Sequence, residues 1–282
     1  MIDETIAEIR EMQTHSSSVV AVKATQSLSE LLDREHATVE EFERDLERNV
    51  SALKRANPSH ASLFNAMETV LVNVVGRKDT VDEAKELLEE VSARVVEDVR
   101  HGKSRAAANA APTFEDGETI LTHDYSSTVL EAIETAVDSG IELTAYVTEA
   151  RPRYLGRKIA RQLATVEGVE PHLLVDGAVG SFLPECDRVV LGMDCIVEET
   201  LYNRVGTYPI VATATHLDVP VTIVGSAAKV VDDGFVFENE YRPPAEVSLE
   251  PIENVQIENP AYDATPMELV DQLVTDNGVK NR

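Results

Sequence analysis

Three arginines stand within seven residues of the sequence, in the segment Arg-Pro-Arg-Tyr-Leu-Gly-Arg that ends at residue 157. This is a high local density of positive charge for a chain with only 25 lysines and arginines. Guanidinium groups bind phosphates and carboxylates through paired hydrogen bonds, and the amides at a helix start favour the same anions. Arg151, Arg153 and Arg157 therefore predict an anion site, with pairing to surface carboxylates as the alternative.

A second group of candidate residues is acidic or carries an imidazole. Asp194 comes shortly after the β-prone run 188–191, and we expect it either to act chemically at the mouth of a cleft or to accept amides of the next loop. His123 and Asp124 are neighbours, so their side chains diverge if the strand continues through them, and they form no triad by themselves. Phosphate-binding glycine loops and histidine metal motifs do not occur in the sequence, which therefore predicts no cofactor and no metal.

The second half of the chain must position these residues, and there short β-prone runs alternate with helical segments. The runs are 119–122, 143–147, 172–175, 188–191 and 221–224, and the helical segments are 128–139, 154–166 and 207–217. This alternation predicts a Rossmann-like, mostly parallel sheet with helices on both faces. Ligands of such sheets bind beyond the carboxyl ends of the strands, where the candidate residues lie.

The first part of the chain has a helical period instead. Capping-box patterns occur at 38–41 and 80–83, where a Thr hydroxyl and a Glu carboxylate can satisfy free amides at a helix start. Apolar residues then recur on one face of each helix. We predict an α/β chain with a helical N-terminal domain at 1–105 and a Rossmann-like domain at 106–282.

The overall charge disfavours two classes of partner. With 51 acidic and 25 basic side chains the net charge is −26, which argues against direct binding to nucleic-acid phosphates or to an anionic membrane. Such an acid excess is typical of proteins adapted to high salt. With no signal peptide or membrane-spanning run in view, we predict a cytoplasmic, halophilic protein. Cys186 and Cys195 lack zinc-ligand partners at a usable spacing and are predicted to be buried free thiols.

Seven short blocks occur along the chain in one order. They are 118–127, 149–156, 192–194, 203–208, 216–221, 225–229 and 259–266. The series resembles the family that unites the alpha, beta and delta subunits of translation initiation factor 2B with two sugar-phosphate isomerases, which act on methylthioribose 1-phosphate and ribose 1,5-bisphosphate. The resemblance covers essentially the whole chain and implies ligand contacts at Ser126, Arg151, Arg153, Gly156, Asn203, Arg204 and Lys229.

The chain departs from the isomerases of that family at residues that their chemistry needs. They use a cysteine and an aspartate for acid–base work at C1 and C2 of the sugar. The aspartate corresponds to Asp194, but Asp124 takes the place of the cysteine. A thiol with a pKa of about 8.5 and a carboxylic acid near about 3.9 are different proton donors. Two phosphate loops have also lost their arginines, at 14–18 and 57–59.

These departures favour a regulatory or binding protein of the initiation factor 2B type. It would hold a sugar phosphate or a nucleotide in a pocket more acidic than that of the isomerases. The alternative is a sugar-phosphate isomerase in which Asp124 works with Asp194. Repulsion between the two carboxylates would then raise the pKa of one, which would serve as the acid.

The resemblance also implies partners. Family members form dimers or hexamers through the C-terminal half, so we expect a homo-oligomer. The apolar runs 219–224 and 269–274 are candidates either for its contacts or for the core. Translation factor 2 is the expected protein partner and a small phosphorylated molecule the expected ligand, with no direct contact to nucleic acid or membrane.

Overall fold

The computed structural model describes residues 2–11, 17–58, 60–250 and 252–282. The α-helices of these residues are α1 (Ile2–Glu11), α2 (Ser17–Ser27), α3 (Val39–Ala56), α4 (Ala61–Val74), α5 (Val81–Ala110), α6 (Ser127–Asp138), α7 (Gly156–Leu163), α8 (Val179–Phe182) and α9 (Thr207–His216). The strands are β1 (Glu118–His123), β2 (Leu143–Thr148), β3 (Val169–Leu174), β4 (Arg188–Leu191), β5 (Cys195–Val197), β6 (Thr200–Arg204), β7 (Val221–Val224), β8 (Val230–Val231), β9 (Tyr262–Pro266), β10 (Gln272–Thr275) and β11 (Gly278–Asn281).

The chain forms two compact units. The first contains residues 1–102 and 228–238, and the second contains 103–227 and 239–282. The boundary between them falls inside α5. The sequence predicts domains at 1–105 and 106–282, without the return of 228–238 to the first unit, because nothing in that short segment marks its change of neighbours.

The first unit consists of helices α1 to α4 and most of α5, together with β8. The hydroxyl of Thr38 accepts the Glu41 amide at 3.3 Å, and that of Thr80 accepts the Glu83 amide at 3.4 Å. Both predicted Thr caps are thereby confirmed. The Glu41 carboxylate does not close its box, because it accepts the Ala37 amide at 2.7 Å instead. Apolar side chains of all five helices fill one core.

The second unit contains the main sheet, whose strand order is β11-β10-β7-β4-β1-β2-β3. The first of these strands is antiparallel to its neighbour and the other six run parallel. The predicted α/β fold with a mostly parallel sheet is confirmed. Leu273 and Val274 of β10 are buried between neighbouring strands, so the run 269–274 contributes to the core.

Helix α7 begins two residues later than its sequence pattern predicts. The backbone of Tyr154 has a φ of 57° and that of Ala150 a φ of 58°. A right-handed helix cannot include a residue in this left-handed conformation. The segment 150–155 is therefore a turn at the carboxyl end of β2 and not the first turn of the helix.

A small antiparallel arrangement of β5, β6 and β9 has no counterpart in the sequence prediction. Cys195 lies opposite Tyr202, and Arg204 lies opposite Tyr262. These strands are three to five residues long and lack the clear alternation of apolar residues by which a strand is recognised. They place Asp194 and Arg204, at their ends, beside the main sheet.

Both cysteines are buried free thiols, as predicted. Burial raises the pKa of Cys186 to about 12, with a further contribution from Asp187 and Glu185. Among the described helices, none has the combination of length and apolar character that crossing a membrane requires.

We expect the melting temperature to rise by several degrees between 0.1 M and 2 M KCl. The 51 acidic side chains repel one another at low ionic strength, and salt shortens the screening length from about 10 Å at 0.1 M to about 3 Å at 1 M. Calorimetry in the two buffers measures the change. Sucrose is the control, because it stabilises proteins without screening charge. A KCl effect no larger than that of sucrose would contradict the explanation.

Candidate functional site

Neighbouring parallel strands bring the candidate residues to one edge of the main sheet. β1 lies between β2 and β4, so the residues that follow these three strands meet beyond their carboxyl ends. They are Asp124, the turn 150–155 and Asp194. Asp124 has a φ of 60°, a left-handed conformation that Asp adopts more readily than most residues, and the chain turns there towards α6.

Arg204, the last residue of β6, holds this site together. Its Nε lies 3.6 Å from Oδ2 of Asp124 and 3.3 Å from Oδ2 of Asp194. Its guanidinium carbon lies 4.7 Å from the centre of the Tyr262 ring, which β9 places opposite. The side chain of Asp124 is 9% exposed and that of Asp194 is 33% exposed. One cation thus joins two carboxylates whose access to water differs.

The surroundings shift the pKa of three groups in this cluster. Burial raises the pKa of Asp124, and the charge of Asp194 raises it further against the opposing effect of Arg204. Burial lowers the pKa of Arg204, but the charges of both aspartates outweigh it and leave that pKa above its usual value. Burial and the charge of Asp194 raise the pKa of Tyr262 to about 12. Asp124 therefore takes up a proton more readily than an exposed aspartate does.

His123 is a structural contact and, as expected, forms no triad with its neighbour. Its Nε2 donates to the Val205 carbonyl at 2.9 Å, and its Nδ1 lies 2.6 Å from the Thr148 hydroxyl oxygen. Gly206, with a φ of 108°, lies so close to the ring that a Cβ would stand 2.7 Å from it. His123 thus ties β1 and β2 to the turn that follows Arg204.

An open cleft adjoins this cluster. Its lining consists of Asp124, Ala150, Arg151, Pro152, Arg153, Leu155, Arg204, Val205, Arg242, Asn259, Pro260 and Ala261. Four arginines face a single carboxylate in this lining, although the whole chain carries a charge of −26. Arg242 reaches this cleft from a distant part of the sequence. That the pocket is more acidic than that of the isomerases stays a prediction.

The turn 150–155 is anchored by Asp176, which follows β3. Its carboxylate accepts the amides of Ala150 at 2.8 Å and Arg151 at 2.7 Å. The Tyr154 amide donates back to the Ala150 carbonyl at 2.8 Å. The backbone that carries Arg151 and Arg153 is therefore fixed both by the Asp176 carboxylate and by a hydrogen bond within the turn.

The three arginines of this segment have different roles. Nη2 of Arg157 lies 2.5 Å from Oε2 of Glu149, and its guanidinium carbon lies 3.9 Å from the centre of the Tyr154 ring. Pairing with a carboxylate, the alternative for this segment, thus holds for Arg157. Arg151 and Arg153 line the cleft. Among the described residues, no three His, Cys, Asp or Glu side chains are grouped so that they could hold a metal ion.

Two of the predicted ligand contacts are used inside the protein. The Ser126 hydroxyl accepts the Val129 amide at 3.2 Å and caps α6. The amide nitrogen of Asn203 donates to the Thr207 hydroxyl at 3.0 Å, and the Asn203 side chain is buried. Both residues shape the strand ends, and neither lines the cleft.

Two further predicted ligand contacts, Gly156 and Lys229, lie outside the lining of the cleft. Gly156 begins α7, where a Cβ would lie 1.8 Å from the Thr148 carbonyl oxygen, so its role is to give α7 room beside β2. Lys229 belongs to the first compact unit. Of the two altered phosphate loops, residues 14–16 and 59 lie outside the described part of the chain.

Two residues of this region carry no prediction from sequence. Arg242 lines the cleft from a stretch that has no recognisable motif. Asp263 accepts the amides of Gly206 at 2.7 Å and Tyr208 at 3.0 Å, so it occupies the anion-binding start of α9. Asp263 lies in the last of the seven blocks that carry the family resemblance, at 259–266. Its place in that block is the only feature of the sequence that points to it.

Known proteins are similar to this chain in sequence or in fold over about nine tenths of their own length. The profile of the initiation factor 2 subunit family matches residues 13–282. A ribose 1,5-bisphosphate isomerase from Haloterrigena turkmenica is 32% identical over 97% of this chain and 88% of its own. Subunit alpha of translation initiation factor eIF2B from Caenorhabditis elegans is 26% identical over 95% of this chain and 90% of its own. A chain of the tetrameric eIF2B-beta2-delta2 complex from C. thermophilum shares the fold, with a TM-score of 0.78 at 18% identity over 100% of this chain and 90% of that chain.

We expect Asp124→Asn to raise the melting temperature, by a margin that grows as the pH rises. Asp124 with a raised pKa binds its proton more tightly in the folded chain than in the unfolded one, so its contribution to stability is lost as the pH rises through the raised pKa. The amide resembles the protonated carboxyl at every pH. Melting curves between about pH 4 and pH 8 measure the margin. Asp138→Asn, at the exposed end of α6, is the control. A margin that shrinks with rising pH would contradict the raised pKa.

We expect Gly156→Ala to destabilise the protein by about 2–3 kcal/mol, because the new methyl group collides with backbone and forces α7 away from β2. Gly177→Ala is the matched control, since its Cβ would meet nothing within 4 Å. Chemical denaturation of both variants gives the free energies of unfolding. Equal stability of the two variants would show that the close approach of α7 is not required.

Proposed function

The chain belongs to the initiation factor 2 subunit family, and we propose that it is an aldose–ketose isomerase of a phosphorylated pentose, with ribose 1,5-bisphosphate as substrate. The observation that carries this proposal is the cluster of Asp124, Arg204 and Asp194, in which two carboxylates of different burial share one guanidinium. The sequence favours a binding protein and offers the isomerase as the alternative. The basic cleft and the name of the Haloterrigena turkmenica relative support that alternative.

The conversion to ribulose 1,5-bisphosphate moves one hydrogen from C2 to C1 and leaves the composition unchanged. The ring oxygen takes up a proton as its bond to C1 breaks, and a base removes the proton on C2. C1 then receives a proton, while the hydroxyl on C2 loses its own and becomes the ketone. The reaction needs an acid, a base and a cation near the oxygen on C2.

The cluster can fill these three roles with this chain's own side chains. Asp124 is buried and its pKa is raised, so it supplies the proton. Asp194 is the more exposed carboxylate and removes the proton on C2. Arg204 stands between them and, with its raised pKa, remains charged to stabilise the oxyanion as it forms.

A regulatory binding protein is the second candidate, and the residue at position 124 specifically favours it. Asp124 stands where the resemblance implies a cysteine in the isomerases. In this case the cleft binds a sugar phosphate without turnover, and the protein acts through a translation-factor partner. Assembly into oligomers is part of both proposals and draws support from the tetrameric complex whose chain shares the fold.

We expect the purified protein to convert ribose 1,5-bisphosphate to ribulose 1,5-bisphosphate in molar KCl. Loss of a general acid or base costs roughly 10²- to 10⁴-fold in rate, so Asp194→Asn and Asp124→Asn should both lose activity to that extent. Product formation is followed by phosphorus NMR, in which substrate and product give separate phosphate signals. Asp138→Asn is the control and should match the wild type.

Asp124→Cys separates the two candidates, because it restores the thiol that the resemblance implies for the isomerases. Under the proposal the wild type is active and Asp124→Cys stays active. A wild type without turnover beside an active Asp124→Cys variant would overturn the proposal and establish the binding protein. Unchanged activity of Asp194→Asn would also overturn it.

A further inference from the structure

We propose that Tyr262 is a positioning residue for Arg204, whose guanidinium the face of the Tyr262 ring holds beside Asp124 and Asp194. The consequence for turnover rests on the proposed function, whereas the contact itself rests on the pairing of β6 with β9. Tyr262 is not among the ligand contacts that the family resemblance implies, and it does not line the cleft.

The two aspartates attract Arg204 without fixing the direction of its guanidinium. The Arg204 Nε lies 3.3 Å from Oδ2 of Asp194 and 3.6 Å from Oδ2 of Asp124. Both distances exceed the roughly 2.7–3.2 Å of a directional N–H···O hydrogen bond. What remains is attraction between opposite charges, which depends on their separation and not on an angle. Because Arg204 lines an open cleft, its long side chain needs a further contact to stay between the two carboxylates.

The ring of Tyr262 supplies that contact. The guanidinium carbon of Arg204 lies 4.7 Å from the centre of the ring, which is within the range where the face of an aromatic ring attracts a cation. A planar guanidinium also stacks on such a face. Since the attraction depends on where the cation lies over the ring, it restricts the direction that the aspartates leave open.

Hydrogen bonds of the backbone hold the ring in its place. The side-chain amide of Asn239 donates to the Tyr262 carbonyl at 2.8 Å and accepts the Tyr262 amide at 3.2 Å. Next to this pair, the Val205 amide donates to the Ala261 carbonyl at 3.1 Å. Arg204 and Tyr262 therefore stay opposite each other in the pairing of β6 with β9.

The ring stays neutral while the aspartates titrate. Burial and the charge of Asp194 raise the pKa of Tyr262 to about 12, so its hydroxyl is protonated at neutral pH. A neutral ring attracts Arg204 without adding a negative charge that would compete with the two aspartates for it.

Steady-state kinetics of three variants test the positioning role. We expect Tyr262→Leu to lower kcat about tenfold, the rate equivalent of a cation–π contact away from water, while KM changes less than about threefold. A loss confined to kcat belongs to an interaction that acts in the transition state, where Arg204 meets the forming oxyanion. Tyr262→Met fills the space with a flexible apolar side chain and should behave like the Leu variant. Tyr262→Phe keeps the ring face and should retain kcat within about threefold.

Tyr146→Leu is the matched control for the loss of a tyrosine ring. That ring packs against His172 and Phe182, with centroids 5.0 Å and 5.1 Å away, and it does not line the cleft. The control should keep the wild-type kcat even if its melting temperature falls. A tenfold loss in Tyr146→Leu would assign the effect to general loosening of the fold and overturn the proposal, as would an equal loss in Tyr262→Phe.

A second readout does not depend on turnover. In proton NMR of the isotope-labelled protein, the ring current of Tyr262 should displace the Hε signal of Arg204 from the position of a solvent-exposed arginine. The Arg204→Lys variant, which lacks this signal, assigns it. We expect Tyr262→Phe to leave the signal displaced and both Tyr262→Leu and Tyr262→Met to move it to the exposed position.

The two readouts separate this proposal from the proposed function. If the wild type shows no turnover but the Arg204 signal responds as expected, the proposed function fails and the positioning role stands. If the wild type turns over and the Leu and Met variants retain its kcat, the positioning role fails and the proposed function stands. An Arg204 signal that stays in place in both of these variants overturns the positioning role whatever the rates.

Discussion

A guanidinium group withdrawn from water must have carboxylates beside it, and the site of this protein is built around that requirement. The side chain of Arg204 is only 25% exposed, and a buried charge without any opposite charge beside it is strongly destabilising. With two aspartates next to it, Arg204 keeps Asp194 as a partner when Asp124 is protonated or replaced by Asn. Asp124 and Asp194 meet the requirement from the ends of different strands. The site therefore requires β1 and β4 to be parallel neighbours and β6 to run back antiparallel to β5. It also requires the turn after Arg204, which His123 and Gly206 hold in place.

The same requirement makes the two aspartates unequal. Asp124 is almost fully buried and Asp194 is partly exposed, so burial acts mainly on one member of the pair and raises the pKa of Asp124. Two carboxylates in unlike environments are a common basis for paired acid and base roles. The fold alone does not decide whether the pair catalyses or merely binds, which is why relatives with this fold carry the names of both an isomerase and an initiation-factor subunit.

The net charge of −26 describes the whole chain and misrepresents the cleft. Several of the acidic residues serve to hold arginines in place, as Glu149 holds Arg157 and Glu246 holds Arg242. Arg151 and Arg153 line the cleft without a salt bridge to a carboxylate among the described residues. A strongly acidic protein thus has positive charge at this edge of its sheet.

Much of this protein could be predicted from its sequence because the signals are local. The Thr caps at 38 and 80, the alternation of strands and helices, and the density of arginines at 151–157 all depend on spacings of a few residues. The tertiary structure alone decided which arginines are paired, that Ser126 caps α6 and Asn203 bonds to Thr207, and that Arg242 enters the cleft. It also decided that β5, β6 and β9 carry Arg204 to the two aspartates. These outcomes are contacts between residues distant in the sequence, and no local spacing determines which distant charge a side chain will meet.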